Sequence, residues 1–274
     1  MEVLNKSDDA TSTTKTTAEI SQELQKLMLR IKGEFMDPGG NGVDYEKLQK
    51  SDVYKTYLNT AKQLKSVKLD DMNETERKAF FLNVYNALTI HGLLNCASIP
   101  RSVLDIRQFW KTTKYDIGGH VFSLDDIEHG VLRGNRSHPA SSGSHFQLND
   151  PKLKYSLKDV DPRIHFALNC GAKSCPAVRV YSASNLEKGL ESAAKAFCEQ
   201  EVTCHVKLGF IKLSKLFLWY REDFGGNDVN AARWVMSYVN EDIHRGISIL
   251  LERLEEAGGV EIQYKDYDWT LNKV

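Results

Sequence analysis

Apolar residues recur at helical spacing through the first part of the chain. Over Ile20–Phe35 they fall every three or four residues, which predicts an amphipathic helix over about Ala18–Met36. The segment Asp37–Gly42 contains a proline and three glycines, which is typical of a turn that ends a helix. A further apolar stripe within Tyr45–Leu64 predicts one or two short helices.

The next helical segment is apolar on nearly every side. Asn73 and Glu76 have the spacing of a capping box, so this helix is predicted to begin after Asn73 and to run through Leu94. A helix without a polar face should be buried at the centre of the fold. Asn83 and Asn86 lie one turn apart in it. Because a buried amide needs partners, these side chains should either tie loops to the helix or contribute to a site.

Strand patterns gather mainly after Tyr115. Tyr115–Ser123 predicts a β-hairpin that turns at Gly118 and Gly119, Val202–Ser214 predicts a second hairpin, and Val260–Tyr264 predicts a last strand. Helices in front of strands indicate an α+β fold, with N-terminal helices packed with a central, mainly antiparallel or mixed sheet.

The same patterns predict how the chain is divided. Residues 1–17 are polar and are expected to form a disordered tail. Residues 18–43 hold the amphipathic N-terminal helix, which is a candidate surface for a protein partner, and residues 44–274 are expected to form a single α+β domain.

Composition narrows the function classes. The 274 residues include 36 Lys and Arg against 37 Asp and Glu, so no strong net field favours nucleic acid as a partner. The polar start lacks the apolar stretch of a secretory signal, and no run is long enough to span a bilayer, so no membrane partner is expected. Five cysteines are an odd number, which favours reduced thiols and predicts a cytoplasmic protein.

One segment concentrates histidine, asparagine and cysteine. The alternation over Arg163–Asn169 predicts a strand with His165 and Asn169 on one face. Cys170 follows at the end of this strand, and the loop closes at Cys175. A straight strand would separate His165 from Cys170 by roughly 16 Å, so Cys175 is the nearer partner for His165.

A second set of reactive side chains lies on the helix that Ser123 is predicted to cap. Asp125, His129 and Arg133 recur at every fourth residue and therefore share a face. They form either a solvated face or an edge that relays charge or binds an anion. His129 is the alternative base for a cysteine, because Asp125 or Glu128 can orient its ring.

A thiol beside a histidine is the minimum constellation for acyl transfer through a thiolate. We therefore expect a cysteine-dependent hydrolase or acyl transferase that uses no cofactor. Its substrate would be a small molecule or peptide that carries an amide or thioester, with Asn169 stabilising the oxyanion. The expected catalytic residues are Cys175, Cys170, His129, His165, Glu128 and Asn169. The expected substrate-binding residues are Asn83, Asn86, Arg133 and Arg163.

Other chemistry fits the same residues. The two cysteines with His165 or His129 would make a zinc set, although no second cysteine or histidine pair completes a strong signature. The thiols alone would make a redox disulfide, although their spacing exceeds C-x-x-C. They are also compatible with small core residues in a domain that only binds other proteins. His138 and His145 lie in a polar loop, where histidines are usually solvated.

Four motifs occur in order along the chain. They are Phe81-Leu-Asn-Val-Tyr-Asn-Ala-Leu-Thr89, Ser123-Leu-Asp-Asp-Ile-Glu-His-Gly-Val-Leu-Arg133, Asp161-Pro-Arg-Ile-His-Phe-Ala-Leu-Asn-Cys-Gly-Ala-Lys-Ser-Cys-Pro176 and Tyr267-Asp-Trp-Thr-Leu-Asn272. Over roughly Tyr45–Asn272 the chain resembles the domain-of-unknown-function family numbered 547, in a cytosolic eukaryotic form.

The resemblance implies a shared fold unit and no assigned reaction. Related domains occur in proteins that carry glutaredoxin-like modules, which implies a link to thiol chemistry by association. Family motif positions are occupied here by Asn83, Asn86, Glu128, His129, Arg133, His165, Asn169, Cys170, Cys175 and Pro176.

Overall fold

A computed structural model of the chain describes residues 3–6 and 14–274. The chain divides into two compact units. The first unit comprises Met1–Val160, Ala167–Gly189 and Trp269–Val274, and the second comprises Asp161–Phe166 and Leu190–Asp268. No helix in the described part of the chain is long and apolar enough to cross a membrane.

The first unit is mainly helical. Its α-helices in the described residues are α1 (Thr17–Phe35), α2 (Tyr45–Gln49), α3 (Asp52–Gln63), α4 (Glu74–Leu94) and α5 (Phe109–Thr112). Single 3-10 turns lie at Leu64–Ser66, Leu69–Asp71, Val103–Asp105 and Pro151–Tyr155. Helix α4 is buried from Ala79 to Leu94, as its apolar sequence predicts. The predicted capping box is also present, because Asn73 Oδ1 accepts from Glu76 N at 3.0 Å and the Glu76 carboxylate accepts from Asn73 N at 2.9 Å.

Helix α1 confirms the amphipathic helix predicted at the start of the chain. Its apolar stripe, Ile20–Phe35, is buried where α1 packs on α3 and α4. Among its large apolar side chains, Leu29 is exposed. Because the stripe is covered from within the same chain, a protein partner would meet the mainly polar outer face, and such a partner stays a prediction.

A β-hairpin follows α5. Strands β1 (Lys114–Ile117) and β2 (His120–Ser123) pair antiparallel and turn at Gly118 and Gly119. Both glycines have positive φ, 60° and 81°, which is the conformation that a two-residue hairpin turn needs. The predicted hairpin is therefore confirmed.

The predicted N-terminal tail lies partly outside the described residues, at 1–2 and 7–13. Within it, Leu4 N donates to Lys114 O at 2.9 Å. Asn5 is buried, donates to Ala61 O and Asp116 O, and accepts from Asp116 N. These residues are thus attached to the hairpin, while the division of the chain at residues 17 and 43 stays a prediction.

The second unit holds a small mixed sheet and an aromatic core. Strand β4 (Phe210–Leu213) pairs antiparallel with β3 (Thr203–His205) and parallel with β5 (Glu261–Tyr264). Its described α-helices are α6 (Leu186–Glu201, from Leu190 onward), α7 (Lys215–Trp219), α8 (Asp228–Val235) and α9 (Glu241–Glu256). Its 3-10 turns lie at Pro162–Phe166, Arg221–Phe224 and Met236–Tyr238. Rings of Phe166, Phe217, Phe224 and Trp234 pack together in its core. Helices with antiparallel and mixed strands confirm the α+β class.

The strand predicted over Arg163–Asn169 is wrong. Pro162–Phe166 forms a 3-10 turn instead. Proline fixes φ near the helical value, and the Asp161 carboxylate accepts from Arg163 N at 3.1 Å and binds its guanidinium at 2.9 Å. Ile164 N then donates to Asp161 O at 3.1 Å. The separation of His165 from Cys170 that was expected from a straight strand therefore has no basis.

Candidate functional site

The loop that follows Asn169 brings two thiols together. Cys170 Sγ and Cys175 Sγ lie 3.1 Å apart, and both cysteines are free thiols. Cys175 Sγ also accepts from Cys170 N at 3.2 Å, and Cys175 N closes the turn by donating to Ala172 O at 3.0 Å. Cys175 is 8% exposed and Cys170 is half-buried. In the loop from Cys170 to Cys175, called the cysteine loop below, Cys170 is therefore the more exposed residue, and its sulfur is called the outer sulfur.

Asn86 on α4 fixes the residues that lead into the cysteine loop. Its amide donates to Ala167 O at 2.9 Å and its carbonyl accepts from Asn169 N at 2.8 Å. Asn169 in turn donates to Pro176 O and accepts from Gly171 N, both at 2.8 Å. Both asparagines use these groups within the protein, so this geometry gives them positioning roles; substrate or oxyanion binding by them stays a prediction.

Asn83 does the same for a neighbouring segment. Its amide donates to Tyr181 O at 2.6 Å and its carbonyl accepts from Tyr181 N at 2.9 Å. Both polar groups of the buried Asn83 amide therefore have partners, as expected of an asparagine that ties a loop to the helix.

The far side of the cysteine loop is fastened by residues near the end of the sequence. Gly171 O accepts from Asn272 N at 2.8 Å, and Ala172 forms a bridge with Leu271. Tyr45 OH donates to Asn272 Oδ1 at 2.7 Å. Gly171 has φ +91°, and a Cβ there would lie 2.7 Å from a Leu93 methyl group, so glycine is required. Sequence reasoning named neither Tyr45 nor Asn272 as a site residue, although Asn272 lies in the last motif.

The helix after the hairpin is a π-helix, Asp126–Leu132. Its wider turn is seen in the hydrogen bonds from Arg133 N to Glu128 O and from Asn135 N to Gly130 O, at 2.8 and 3.0 Å. Glu128 is buried and accepts from Tyr85 OH at 2.8 Å. Such helices are rare and are frequent at functional sites.

The predicted stack of acid, imidazole and guanidinium exists on this helix. Arg133 Nη1 donates to His129 Nδ1 at 2.9 Å and to Ser137 O at 2.7 Å, while Asp125 Oδ1 lies 3.9 Å from His129 Nε2. Burial lowers the pKa of His129 to about 3, and Arg133 adds to this against the opposing Glu128 carboxylate. His129 is therefore a neutral imidazole whose Nδ1 is already an acceptor, which does not suit a general base.

His138, from the loop that follows the π-helix, lies close to two residues of that region. Asp125, His129 and His138 offer possible metal ligands within 4.8 Å of one another. However, Nδ1 of His129 accepts from Arg133, and Nδ1 of His138 accepts from Ala140 N at 3.0 Å. A neutral histidine that binds a metal through Nε2 carries a proton on Nδ1 and donates from it. Both hydrogen bonds would have to break, so the donor set fits a metal poorly.

The thiols are not part of that grouping. Among the described residues, the histidine, cysteine and acid group with metal-ligand spacing includes neither cysteine. His145 pairs with Asp126 at 2.7 Å, and Lys152 binds the same carboxylate at 3.0 Å. These contacts account for His145 without a metal.

The electrostatics of the thiols differ from those of an activated nucleophile. The hydrogen bond with Cys175, then burial, raise the pKa of Cys170 well above its usual value, and Glu128 adds to the rise. In an activated cysteine–histidine pair the thiol pKa is lowered beside an imidazolium. Here the pKa of Cys170 is raised and that of His129 is lowered, so at neutral pH both groups are uncharged.

The remaining predicted residues lie in the second unit. His165 Nε2 lies 2.8 Å from Asp223 Oδ2, with both side chains at most 1% exposed, and Tyr220 stacks on the ring at 3.9 Å. Arg163 pairs with Asp161 at 2.9 Å and with Glu191 at 3.4 Å. These contacts hold His165 as a packed core residue; its catalytic role, like substrate binding by Arg163, stays a prediction.

Comparison with known proteins gives a family without a reaction. No curated protein and no solved structure matches the chain. The model of the family described as "Protein of unknown function, DUF547" matches residues 69–198, which contain α4, the π-helix and the cysteine loop. The match is narrower than the predicted resemblance and leaves Tyr45 and Asn272 outside. The chain therefore contains a region, residues 69–198, that matches the DUF547 family.

Proposed function

We propose that Cys170 and Cys175 form a redox-active dithiol that exchanges with disulfide substrates. The observation that carries this proposal is the 3.1 Å separation of the two sulfurs within one short loop. A disulfide bond is about 2.05 Å long, so oxidation needs a closure of about 1 Å. Backbone contacts hold Ala172 and Lys173, so we expect rotation of the two cysteine side chains to supply this closure.

The exposure of the sulfurs assigns their order of reaction. Cys170, the outer sulfur, attacks one sulfur of a substrate disulfide as thiolate, which forms a mixed disulfide and releases the first substrate thiol. Cys175 then attacks Cys170 Sγ, which forms the intrachain disulfide and releases the second substrate thiol. The protons of the two protein thiols end on the two leaving groups. Two electrons pass from the protein to the substrate.

The predicted acyl transferase draws less support from the same geometry. It needs a base, but His129 accepts from Arg133 and is kept neutral by burial. It also needs free oxyanion donors, but Cys170 N and Gly171 N donate to Cys175 Sγ and Asn169 Oδ1. Exchange through a dithiol requires neither a histidine base nor free oxyanion donors, so the occupied His129 Nδ1 and loop amides favour exchange over acyl transfer.

Oxidation of the full-length chain tests this function. The reduced protein is treated with a small disulfide, remaining thiols are alkylated, and peptide mapping by mass spectrometry locates the bond. We expect a Cys170–Cys175 disulfide that forms under native conditions and is reversed by dithiothreitol. Cys175→Ser should stop at the mixed disulfide on Cys170. Cys198→Ser is the matched control, because Cys198 is buried in the second unit.

Two results would count against the proposal. One is a Cys170–Cys175 disulfide that appears only when urea unfolds the chain. The other is turnover of amides or thioesters that depends on Cys175 and proceeds without any disulfide, which would support the predicted acyl transferase instead.

A further inference from the structure

A basic depression lies beside the cysteine loop in the first unit. Its volume is ≈ 680 Å³, which lies within the roughly 300–1,000 Å³ of small-molecule sites. Four cations line it: Lys50, Arg101, Lys173 and Lys273. The acid in its lining is Glu46, which pairs with Lys273 at 2.5 Å.

Among the described residues, the other three cations make no direct ion pair, although Lys50 lies close enough to Glu46 to add to Lys273 in lowering the pKa of that carboxyl. In the part of the chain that the structure describes, Lys50, Arg101 and Lys173 form no ion pair, and all three are exposed. Cations that line a concave surface reinforce one another's field and concentrate anions there. The depression is therefore an anion-attracting site, called the basic pocket below.

The basic pocket and the cysteine loop share backbone. Lys173 lies within the loop, and its N–H donates to Thr270 O at 2.8 Å. Leu271, another lining residue, forms a bridge with Ala172 and donates to Arg101 O at 2.8 Å. Lys173 lies three positions after Cys170, so their Cα atoms are at most about 11 Å apart. A lining residue of the basic pocket therefore lies within the same short loop as the outer sulfur.

We infer that the basic pocket selects small disulfides that carry carboxylates or similar anionic groups as substrates of the dithiol. This inference rests on the proposed exchange function and adds the charge of the substrate. Arg101 suits a carboxylate because its guanidinium donates two parallel hydrogen bonds, while Lys173 and Lys50 act as point charges. A neutral or cationic disulfide gains nothing from these groups.

A series of disulfides of similar length and different charge tests the selection. The probes are 3,3′-dithiodipropionate, a dianion, 2-hydroxyethyl disulfide, which is neutral, and cystamine, a dication. The rate of Cys170–Cys175 disulfide formation is measured with each probe. This rate is divided by the rate at which dithiothreitol reduces the same probe, which corrects for differences between the leaving groups. At low salt we expect the normalised rate to favour the dianion over the dication by about tenfold or more. In 1 M salt, where screening acts over about 3 Å, the preference should largely disappear.

Variants show whether the named residues cause the preference. The double variant Arg101→Gln, Lys173→Gln should lose most of the preference for the dianion, so that its normalised rates with the three probes become similar. Lys26→Gln is the matched control, since Lys26 is exposed on α1, forms no ion pair in the described residues and lies outside the basic pocket. Equal normalised rates of the wild type with all three probes, or a preference that survives in the double variant, would overturn the inference.

A non-reactive ligand separates this inference from the proposed function. Suberate has the length and charge of 3,3′-dithiodipropionate but no disulfide. We expect it to bind, as measured by perturbed amide resonances of Arg101 and Lys173, and to slow the reaction of the dianion but not that of the neutral probe. Suberate binding without exchange by any disulfide would reject the dithiol function alone. Exchange without suberate binding would reject the basic pocket alone.

Discussion

The cysteine loop and the π-helix carry the two groups of reactive side chains that the sequence assigns to one site. In the cysteine loop, hydrogen bonds mainly hold the backbone, although Cys170 N also donates to Cys175 Sγ, and the two sulfurs face each other at 3.1 Å. On the π-helix a charged side chain engages the reactive atom, because Arg133 donates to Nδ1 of His129. The difference teaches that the chemistry of a residue depends on which of its atoms the fold has already engaged.

Burial affects the two regions in opposite senses. It adds to the hydrogen bond with Cys175 in raising the pKa of the Cys170 thiol, and it lowers the pKa of the His129 imidazole, so each is neutral near pH 7. The cysteine loop should therefore respond to alkali, and the π-helix should respond to acid. A cysteine–histidine pair that exchanged a proton would respond as one unit.

The largest expected effect separates the support of the cysteine loop from general stability. Asn86→Leu should cost about 2–5 kcal/mol, because Ala167 O and Asn169 N lose buried partners. Asn83→Leu is the matched control, since it removes the equivalent pair of bonds to Tyr181. Urea unfolding should show similar losses for both variants.

Only the Asn86 variant should also change the chemistry of the thiols, with faster alkylation of Cys170 in the folded protein. Asn86→Asp keeps the acceptor for Asn169 N and should retain more of the stability. Equal thiol reactivity in the Asn83 and Asn86 variants would contradict the positioning role of Asn86.

Acid should act through the π-helix. His129 has a folded pKa of about 3 against an unfolded value of about 6.5, so the unfolded chain binds more protons between these values. Stability is therefore lost as pH falls below 6.5, by about 2 kcal/mol at pH 5. Asp125 opposes this by about 1 kcal/mol, because burial and then Glu128 raise its pKa to about 6.

The measurement is the change in unfolding free energy between pH 7 and pH 5 for the wild type and for His129→Gln. The variant should lose less stability on acidification than the wild type. His244→Gln, a substitution of an exposed histidine, should behave as the wild type does. A wild-type slope that His129→Gln leaves unchanged would show that the imidazole is not the group that titrates.

Alkali should act through the cysteine loop, with the smallest effect in free energy. Each unit by which the pKa of Cys170 is raised removes about tenfold of its thiolate at neutral pH. Iodoacetamide should therefore alkylate Cys170 at pH 7.5 at least about tenfold more slowly than it alkylates an unstructured cysteine peptide, and the rate should keep rising above pH 9. Faster alkylation than the peptide would favour the activated nucleophile of the acyl-transfer prediction.

Predictions from the sequence were confirmed where interactions between neighbouring residues determine the structure. The capping box of Asn73 and Glu76 and the hairpin turn at Gly118 and Gly119 are formed by neighbours in the chain, and both are present as predicted. The family resemblance also placed Asn86 and both cysteines among the important positions. The backbone groups that Asn86 contacts lie more than 80 residues away in the sequence. The alternation of apolar and polar residues carries no information about such distant contacts.

The errors come from competition between local patterns. Over Arg163–Asn169, apolar alternation predicted a strand, but Pro162 and the Asp161 side chain favour a 3-10 turn. The sequence does not distinguish the two types of helix here, because the four-residue spacing of Asp125, His129 and Arg133 is compatible with an α-helix or a π-helix. The choice depends on tertiary packing such as Phe146 against Gly130, where a Cβ would lie 2.2 Å from the ring.

The contacts of the cysteine loop with Leu271 and Asn272 form late during synthesis of the chain. Both cysteines are translated about 100 residues before Asn272, an interval of roughly 5–20 s at about 5–20 residues per second. Until Leu271 and Asn272 leave the ribosome, Ala172 has no bridge and Gly171 O lacks its donor. The nascent thiols therefore pass through a period in which the surrounding redox poise, rather than the fold, determines their state.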